Sequence, residues 1–470
     1  MGGRSQPFRT SAWASLAALL LVYAWFWVVS AHRVYGVPFE GFAHTFVTGC
    51  GDFEHFYRGA KAMREGTDPY AAGVRGYIYP PLIAFLFMPL TFLSVQTAAV
   101  VMLALNMALA LMCTFVACKE ALRRFDLEHS FGGLLTVVAL TTVLAAPRLR
   151  SELQMWQTNL LMLAAMLLAL RWLDRRPRWA GLMLGLAVNI KYLPLIYLPY
   201  LLLRRRYTAA VWFVLGIVAF ALLPALHTGW AANKQQWVTA GSGIAQLFGV
   251  KLQATATVKA ANIDALTVGH SMSVTSGMAR IVAADATPAL KWWLTAAVGV
   301  AALAALAFVY RRFSLPLFAW PRAQAQSASP YRSMVALEWG ALMALALAFG
   351  PQTNPRHLVL LLMVFALLAA LLCASSTASL TASLTASHTA SLTPASTASS
   401  KGAGTRTWRA SRWLALAALV VMMAGLSLPP GTPEFAAQLA WWRKVGGPGW
   451  SLVVMLPLLF AAGFTRLKGR

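Results

Sequence analysis

The sequence predicts an all-α, polytopic integral membrane protein with roughly 11 to 13 transmembrane helices. Three observations lead to this fold class: of the 470 residues 59% are hydrophobic, only 11% are charged, and the mean hydropathy is +0.63. A soluble domain of this length has no interior large enough for so much apolar sequence. The apolar residues fall into runs close to the length of about 20 residues that one helix needs to cross the bilayer core. These runs lie near 13–30, 79–95, 97–118, 132–147, 157–172, 179–203, 208–227, 291–309, 335–350, 357–374, 412–428 and 449–465.

The basic residues are distributed as in the cytoplasmic loops of membrane proteins. The chain has 39 Lys and Arg against 14 Asp and Glu, which gives a formal net charge of +25. The cations stand in short clusters between the apolar runs, at 119–124, 171–178, 204–206, 311–312 and 466–470. The positive-inside rule explains this pattern, so we expect cytoplasmic termini, membrane lipids as neighbours and no nucleic-acid partner.

Composition divides the chain into three parts. Residues 1–373 form the predicted transmembrane core, with long external loops at 31–78 and 228–288 that bear short helices. Residues 374–411 form a Ser/Thr/Ala-rich linker with a TASL repeat, and we predict that it is disordered because this composition cannot bury a core. Residues 412–470 add C-terminal transmembrane helices.

The topology of two segments stays open. With a cytoplasmic N-terminus, two full spans at 79–95 and 97–118 would place the basic cluster 119–124 outside, against the charge rule. Either one of these segments is re-entrant, or 179–203 is a hairpin of two short helices. Breaks of this kind are tolerated where the backbone is buried in protein or lines a cavity.

Several classes of site are not indicated by the sequence. The four cysteines are scattered and no CxxC pair or His/Cys cluster occurs, so we predict neither a disulfide framework nor a metal site. No nucleotide-binding motif is present, and no cofactor is predicted. Energy for any reaction should therefore come from an activated substrate or an ion gradient.

The external loop 31–78 carries Asp52 just past the first apolar run. The residues after it place one set of apolar side chains on a single helical face, which predicts an amphipathic helix at the membrane interface. That set is Phe53, Phe56, Tyr57, Ala60 and Met63. Asp52 is well placed as the N-cap of this helix. Capping uses one carboxylate oxygen and leaves the other free for proton transfer.

Lys191 lies deep in an apolar segment, with at least ten apolar or small residues on each side. A buried ammonium is costly in a membrane and usually faces a cavity or an anionic partner. The basic cluster 204–206 begins 13 residues away, about 20 Å along a helix, which exceeds the reach of a lysine. A phosphate is the natural partner.

Three further groups of polar or aromatic residues stand at the ends of apolar runs. Tyr79, Pro80 and Pro81 open one run, as a helix start or as aromatics at the interface. Gln157 and Asn159 open another, where capping and substrate contact explain them equally well. Arg356 and His357 lie in the break at 350–357, where polar residues line a cavity or merely cap a loop.

Together these residues resemble glycosyltransferase family 87 of the GT-C superfamily, integral-membrane enzymes that use polyprenyl-phosphate-mannose. The family commonly has Gly where this chain has Trp156, and its later break usually carries two His and a Trp. The matching positions are Asp52-Phe53, Phe56-Tyr57, Gly66, Asp68-Pro69-Tyr70, Tyr79-Pro80-Pro81, Gln157, Asn159, the block 180–206 and the break 351–357.

The resemblance implies a GT-C-type bundle in the bacterial cell (inner) membrane. It implies inverting transfer of mannose, or a related hexose, from a polyprenyl-phosphate-sugar donor to a lipid or glycan hydroxyl on the external face. Asp52 would be the general base, and Lys191, His357 and Arg356 would bind the donor phosphate. The substrate cavity would contain Phe53, Tyr57, Tyr70, Tyr79, Pro80, Pro81, Gln157 and Asn159.

Two other functions compete with this one. In a transporter or flippase of lipid-linked sugars, Lys191 and Asp52 would only bind and gate. In a membrane scaffold, Asp52 would only cap its helix. Replacing Asp52 by Asn separates the hypotheses, because it nearly preserves capping and shape but removes a general base.

Overall fold

The computed structural model describes residues 6–35, 51–72, 77–127, 131–247, 265–282, 288–318, 329–373, 398–427 and 433–468. Every regular element within these ranges is a helix, which confirms the all-α class. The α-helices are α1 (Gln6–Tyr35), α2 (Phe53–Arg64), α3 (Pro81–Phe87), α4 (Val95–Arg124), α5 (Phe131–Gln154), α6 (Asn159–Trp172), α7 (Pro177–Ile190), α8 (Tyr197–Leu203), α9 (Tyr207–Leu222), α10 (Ala225–Thr228), α11 (Trp230–Leu247), α12 (Val274–Ile281), α13 (Pro288–Arg312), α14 (Ser329–Phe349), α15 (362–373), α16 (Ala398–Ser427), α17 (Ala436–Lys444) and α18 (Gly447–Lys468).

Nine helical segments of the described chain are long and apolar enough to cross a membrane, so the protein is multi-pass. They involve α1, α4, α5, α9 with α10, α13, α14, Pro355–Cys373, α16 and α18. Within Pro355–Cys373, every residue from 358 to 370 is less than 2% exposed, so this segment lies at the centre of the bundle. By contrast, α13 leaves Leu303 and Phe308 well exposed, as lipid-facing side chains would be.

Three of the predicted spans are shorter than the length usual for a single crossing helix. They are Pro81–Phe92, Asn159–Trp172 and Leu193–Leu203. At about 1.5 Å per residue even the longest extends only about 21 Å, against a hydrocarbon core of about 30 Å. The nine candidate spans among the described residues are fewer than the 11 to 13 predicted, and these short helices account for part of the difference.

Ion pairs gather at one end of the bundle, which we term the basic end. Arg124 lies 3.3 Å from Asp174, and Arg206 lies 2.7 Å from the same carboxylate. Arg332 pairs with Asp126 at 2.6 Å. These residues place the end of α4 and the starts of α7, α9 and α14 together.

The short helices bear on the two topologies that the sequence left open. Pro81–Phe92 packs against α2 and is not among the candidate spans, so α4 is the one candidate span between it and the cluster 119–124 in the part of the chain that the structure describes. The segment 177–203 leaves the basic end along α7, turns at Lys191 and returns to Arg206. The predicted hairpin of two short helices is thus present. The charge rule is satisfied by both features.

The predicted amphipathic helix is α2, and its predicted apolar face is buried except at Tyr57, which is half-buried. Phe53, Phe56, Ala60 and Met63 are completely buried, while the helix ends before Gly66 with its positive φ of 73°.

Short helices were predicted in the loop 228–288, whereas the predicted linker contains more helix than expected. The loop 228–288 holds α11 and α12, and α16 begins at Ala398, so the predicted linker is helical from there to 411. Ala, Arg and Trp in that stretch favour a helix over a coil. The TASL repeat at 374–397 lies outside the described residues.

Candidate active site

Four chain segments that are distant in sequence meet at the end of the bundle opposite the basic end, which we term the site end. They are the start of α2, the turn between α5 and α6, the break after α7, and the segment that precedes α15. Their polar side chains form one connected hydrogen-bond network. The network contains Asp52, Glu152, Gln157, Asn159, Lys191 and Arg356.

Asp52 is only 7% exposed and is held through a single oxygen. Its Oδ2 accepts a hydrogen bond from Gln157 Nε2 and pairs with Arg356 Nη1 at 2.6 Å. Its Oδ1 has no partner among the described residues. The carboxylate is therefore oriented by two donors and keeps an oxygen available to accept a proton.

The capping interpretation of Asp52 is not supported by its geometry. Asp52 has helical backbone angles of φ −67° and ψ −16°, and its side chain makes no capping hydrogen bond. Gly51, with φ +56°, brings this backbone against the turn between α5 and α6, where a Cβ would lie 3.3 Å from Met155 Cα. The side chain consequently faces Gln157 rather than the N–H groups of its own helix.

The side chain of Gln157 links the acid to the cation. Its Nε2 donates to Asp52, while its Oε1 accepts from Lys191 Nζ at 2.9 Å. Its backbone carbonyl accepts a hydrogen bond from Asn106 at 3.0 Å. An amide held between a carboxylate and an ammonium has only one favourable orientation, so Gln157 fixes both groups.

Lys191 has two neutral hydrogen-bond partners and one unused donor. Nζ donates to Gln157 and, at 2.6 Å, to Asn159 Oδ1, and it lies 5.2 Å from the centre of the Tyr79 ring. An ammonium has three N–H donors, and the third has no partner among the residues that the structure describes. The side chain is 8% exposed and has no carboxylate within hydrogen-bonding distance in that part of the chain. This arrangement suits an anionic ligand.

Glu152 is a site residue that the sequence analysis missed. Its Oε1 accepts the Asn159 backbone N–H at 2.9 Å and the Leu160 N–H at 3.3 Å, and its Oε2 accepts Asn159 Nδ2 at 2.7 Å. The buried carboxylate thus caps α6 and turns the Asn159 amide so that Oδ1 faces Lys191. The sequence did offer one sign of its role: Glu152 is one of only 14 acidic residues and lies five positions before Gln157.

Arg356 and His357 are placed differently, although they are adjacent in sequence. Arg356 pairs with Asp52, and its buried Nε has no hydrogen-bond partner among the described residues. The Nδ1 of His357 accepts the Asn354 N–H at 3.3 Å in a capping box, and its ring also hydrogen-bonds the backbone of Gln352. Arg356 is therefore the better placed of the two to contact a phosphate.

Tyr79 borders the network, whereas three of the predicted cavity residues are used in packing or backbone contacts. The Tyr79 hydroxyl lies 3.4 Å from Gln157 Nε2, and burial raises the pKa of this phenol, so it stays protonated. Phe53 is completely buried. The Tyr57 and Tyr70 hydroxyls donate to backbone carbonyls, of Leu93 and of Tyr79 itself.

The predicted helix start at Pro80 and Pro81 is confirmed, with Pro81 in the first turn of α3. Its missing N–H is harmless there, because the first turn has no carbonyl partner to lose.

Trp156 is the position at which this chain has a large aromatic residue and the family that it resembles commonly has glycine. It has φ +47°, a conformation that favours glycine, and glycine is the residue that the family commonly has there. Its ring is completely buried and its Nε1 has no hydrogen-bond partner among the described residues. Packing of the large ring offsets the backbone strain.

We expect Glu152→Gln to lower kcat by about 10- to 100-fold, by analogy with outer-shell residues that position a functional group. Gln would present an NH₂ to Asn159 Nδ2, so the Asn159 amide would rotate and turn its own donors toward Lys191. With the polyprenyl-phosphate-sugar donor that the sequence resemblance implies, initial rates against donor concentration would show the loss mainly in kcat.

Two variants test whether Glu152 acts through position. The double variant Glu152→Gln with Asn159→Asp exchanges donor and acceptor between the two side chains, and it should recover part of the activity. Glu338→Gln is the control, since this buried acid binds Arg204 and Tyr310 and no residue of the network. A loss in Glu152→Gln no larger than in this control would show that Glu152 only stabilises the fold.

The chain has matches among protein families, curated proteins and solved structures. The family model for glycosyltransferase family 87 matches residues 77–325, more than half of the chain. The crystal structure of ArnT from Cupriavidus metallidurans bound to undecaprenyl phosphate aligns over 96% of this chain and 77% of that chain, with 14% identity and a TM-score of 0.38. A TM-score of this size supports no conclusion about mechanism.

Two mycobacterial proteins share one name, polyprenol-phosphate-mannose-dependent alpha-(1-2)-phosphatidylinositol mannoside mannosyltransferase. The chain is 29% identical over 210 residues to the protein of Mycobacterium tuberculosis, covering 40% of this chain and 47% of that protein. It is 27% identical over 212 residues to the protein of Mycolicibacterium smegmatis, covering 40% and 46%. The chain thus spans about half the length of these relatives.

Proposed function

The chain belongs to glycosyltransferase family 87, and we propose that it transfers a hexose from a polyprenyl-phosphate-linked donor to the hydroxyl group of an acceptor. The observation that carries this proposal is the unbroken series of hydrogen bonds from Asp52 through Gln157 to Lys191. One amide holds a proton acceptor and a phosphate-binding cation at a fixed separation. Glycosyl transfer from a phosphate donor needs both groups in one site.

The reaction forms a bond between the acceptor oxygen and the anomeric carbon, and it breaks the bond from that carbon to the donor phosphate. The acceptor proton passes to the open Oδ1 of Asp52. The donor phosphodiester becomes a phosphate monoester and gains negative charge as it leaves. Lys191 and Arg356 supply the fixed positive charge that stabilises it. Attack opposite the leaving group inverts the sugar configuration.

The position of the site supports chemistry on the external face. The network lies at the site end, while the cationic clusters gather at the opposite end. The positive-inside rule assigns the basic end to the cytoplasm, so the site end faces outward. We place the protein in the bacterial cell (inner) membrane, where a lipid donor reaches the site sideways from the bilayer.

Mannose is the sugar that we propose, because both curated relatives are named for polyprenol-phosphate-mannose. The proposed acceptor is a lipid or glycan hydroxyl. The donor lipid and the acceptor would both approach the network from the membrane surface.

The proposal is tested with membranes that contain the protein and matched membranes that lack it. We expect radiolabelled mannose to pass from polyprenyl-phosphate-mannose into a lipid or glycan fraction only when the protein is present. A glucose-bearing donor assayed in parallel tests the choice of sugar. If the labelled donor instead changes leaflets in proteoliposomes with its sugar still attached, the protein is a transporter and the proposal fails.

A further inference from the structure

Two neighbouring cavities near the site end share the side chain of Arg443. The first, about 330 Å³, is lined among others by Arg148, Met272, Ser427 and Trp442. The second, about 520 Å³, is lined by Arg280, Lys444 and small or apolar residues. Both volumes fall in the range typical of small-molecule sites. Among the described residues no carboxylate lines either cavity, so the four cations there lack an acidic lining partner in that part of the chain.

Arg443 is the cation that the fold itself leaves unused. Its side chain makes no hydrogen bond in the part of the chain that the structure describes, and its Nε is buried without a partner. A buried unsatisfied donor is unfavourable unless a ligand or water completes it. A basic residue in the last turn of α17 complements the helix dipole, but this does not explain a buried Nε.

The other two arginines differ: Arg280 has a structural role, and Arg148 has N–H groups available. Arg280 donates to the backbone carbonyls of Val268, Ser271, Arg443 and Lys444, so its guanidinium is already occupied.

Arg148 uses only Nη2, which donates to Leu426 O at 2.8 Å and to Ser427 Oγ. Its remaining N–H groups have no partner within the described ranges. Arg148 on α5 and Arg443 on α17 thus face one cavity from two different helices.

This cavity adjoins the candidate active site. Arg148 lies one helical turn before Glu152 on α5. Met272 in its wall donates its backbone N–H to Thr353 O at 2.7 Å, three residues before Arg356. Trp441 lies on the same helix as Arg443 and is 61% exposed. Tryptophan is enriched at the depth of the lipid headgroups.

We propose that Arg148 and Arg443 bind the phosphate of an anionic phospholipid headgroup, at a site separate from the donor phosphate site. Two guanidinium groups provide paired N–H donors that match phosphate oxygens. Resting on the proposed function, the bound lipid is the acceptor, and its phosphate anchors the headgroup beside the network that contains Asp52.

The test measures binding of radiolabelled phosphatidylinositol to the purified full chain in detergent micelles. Wild-type protein should bind it at least about tenfold more tightly than an uncharged diacyl glucolipid. Arg443→Gln should weaken binding about tenfold, the typical effect of losing a charge-assisted hydrogen bond. Arg443→Lys, which keeps the charge, should retain most of the affinity.

Lys234→Gln is the matched control, because Lys234 is an exposed lysine of α11 outside both cavities. It should bind the lipid as wild type does. Unchanged binding in Arg443→Gln with a normal unfolding midpoint would overturn the proposal, as would displacement of the lipid by equimolar inorganic phosphate. If mannose transfer is absent but Arg443→Gln still loses binding, the proposed function fails and the phosphate site stands.

Discussion

Asp52→Asn should reduce mannose transfer by about 100- to 10,000-fold, the usual contribution of a positioned general base. The carboxylate is held by Gln157 and Arg356 through Oδ2, and Oδ1 has no described partner. Asn keeps the size of the side chain, and its carbonyl oxygen still accepts from both donors. What it lacks is an oxygen that can take the acceptor proton at neutral pH.

Asn keeps both hydrogen bonds at the Oδ2 position and loses only the charge that pairs with Arg356, so we expect a modest loss of stability that the unfolding midpoint measures. The Asp52 side chain does not cap α2, so the helix loses no capping bond. Initial transfer rates at saturating donor, with equal amounts of protein and a measured unfolding midpoint, give the comparison.

Asp68→Asn is the matched control in the same loop. Asp68 Oδ1 accepts the Tyr70 N–H at 2.9 Å, and Asn makes the same bond. Transfer in this variant should stay within about twofold of wild type, because Asn caps nearly as well as Asp. If Asp52→Asn also retained wild-type rates, Asp52 would not be the base, and another proton acceptor would be needed.

The sequence predicted those structural elements that depend on the pattern of neighbouring residues. The amphipathic face of α2 followed from the spacing of Phe53, Phe56, Ala60 and Met63, all of which are buried. The short helical segment at 81–92 was harder to predict, because hydropathy alone does not separate a 12-residue helix from the start of a membrane span. The local signal was Ser94, whose Oγ caps α4 by accepting the Thr97 N–H at 3.2 Å.

The candidate site contains residues that the sequence predicted and one, Glu152, that it did not. Lys191 was identified because a buried ammonium needs an explanation, and Asp52 because acids are few. Glu152 was missed because its partners are the first N–H groups of α6, which it reaches only through the left-handed turn at Trp156. Residue type also did not reveal that Tyr70 faces a backbone carbonyl rather than a cavity.

Lys191→Met should lower kcat by about 100- to 1,000-fold, the range observed when one donor to a developing oxyanion is removed. Methionine nearly matches the length of the side chain and fills its volume without a charge. Lys191 has one unused N–H donor among the described residues, and we propose that this donor meets the departing phosphate. The decrease in kcat should be seen at saturating concentrations of the polyprenyl-phosphate-sugar substrate.

The same change also leaves two acceptors, Gln157 Oε1 and Asn159 Oδ1, without their cation. Buried unsatisfied acceptors cost about 1–3 kcal/mol each, so some loss of stability is expected. A lower rate alone would therefore not separate phosphate stabilisation from a disturbed site.

Binding of the product, polyprenyl phosphate, separates these two causes through the sign of the effect. Lys191→Met removes a positive charge, so the phosphate should bind about tenfold more weakly. Asp52→Asn removes a negative charge from the same network, so the phosphate should bind as tightly or more tightly. A disturbed site would weaken binding in both variants. Equal affinity in Lys191→Met and wild type would exclude Lys191 as the phosphate ligand and leave Arg356 as the remaining cation of the network.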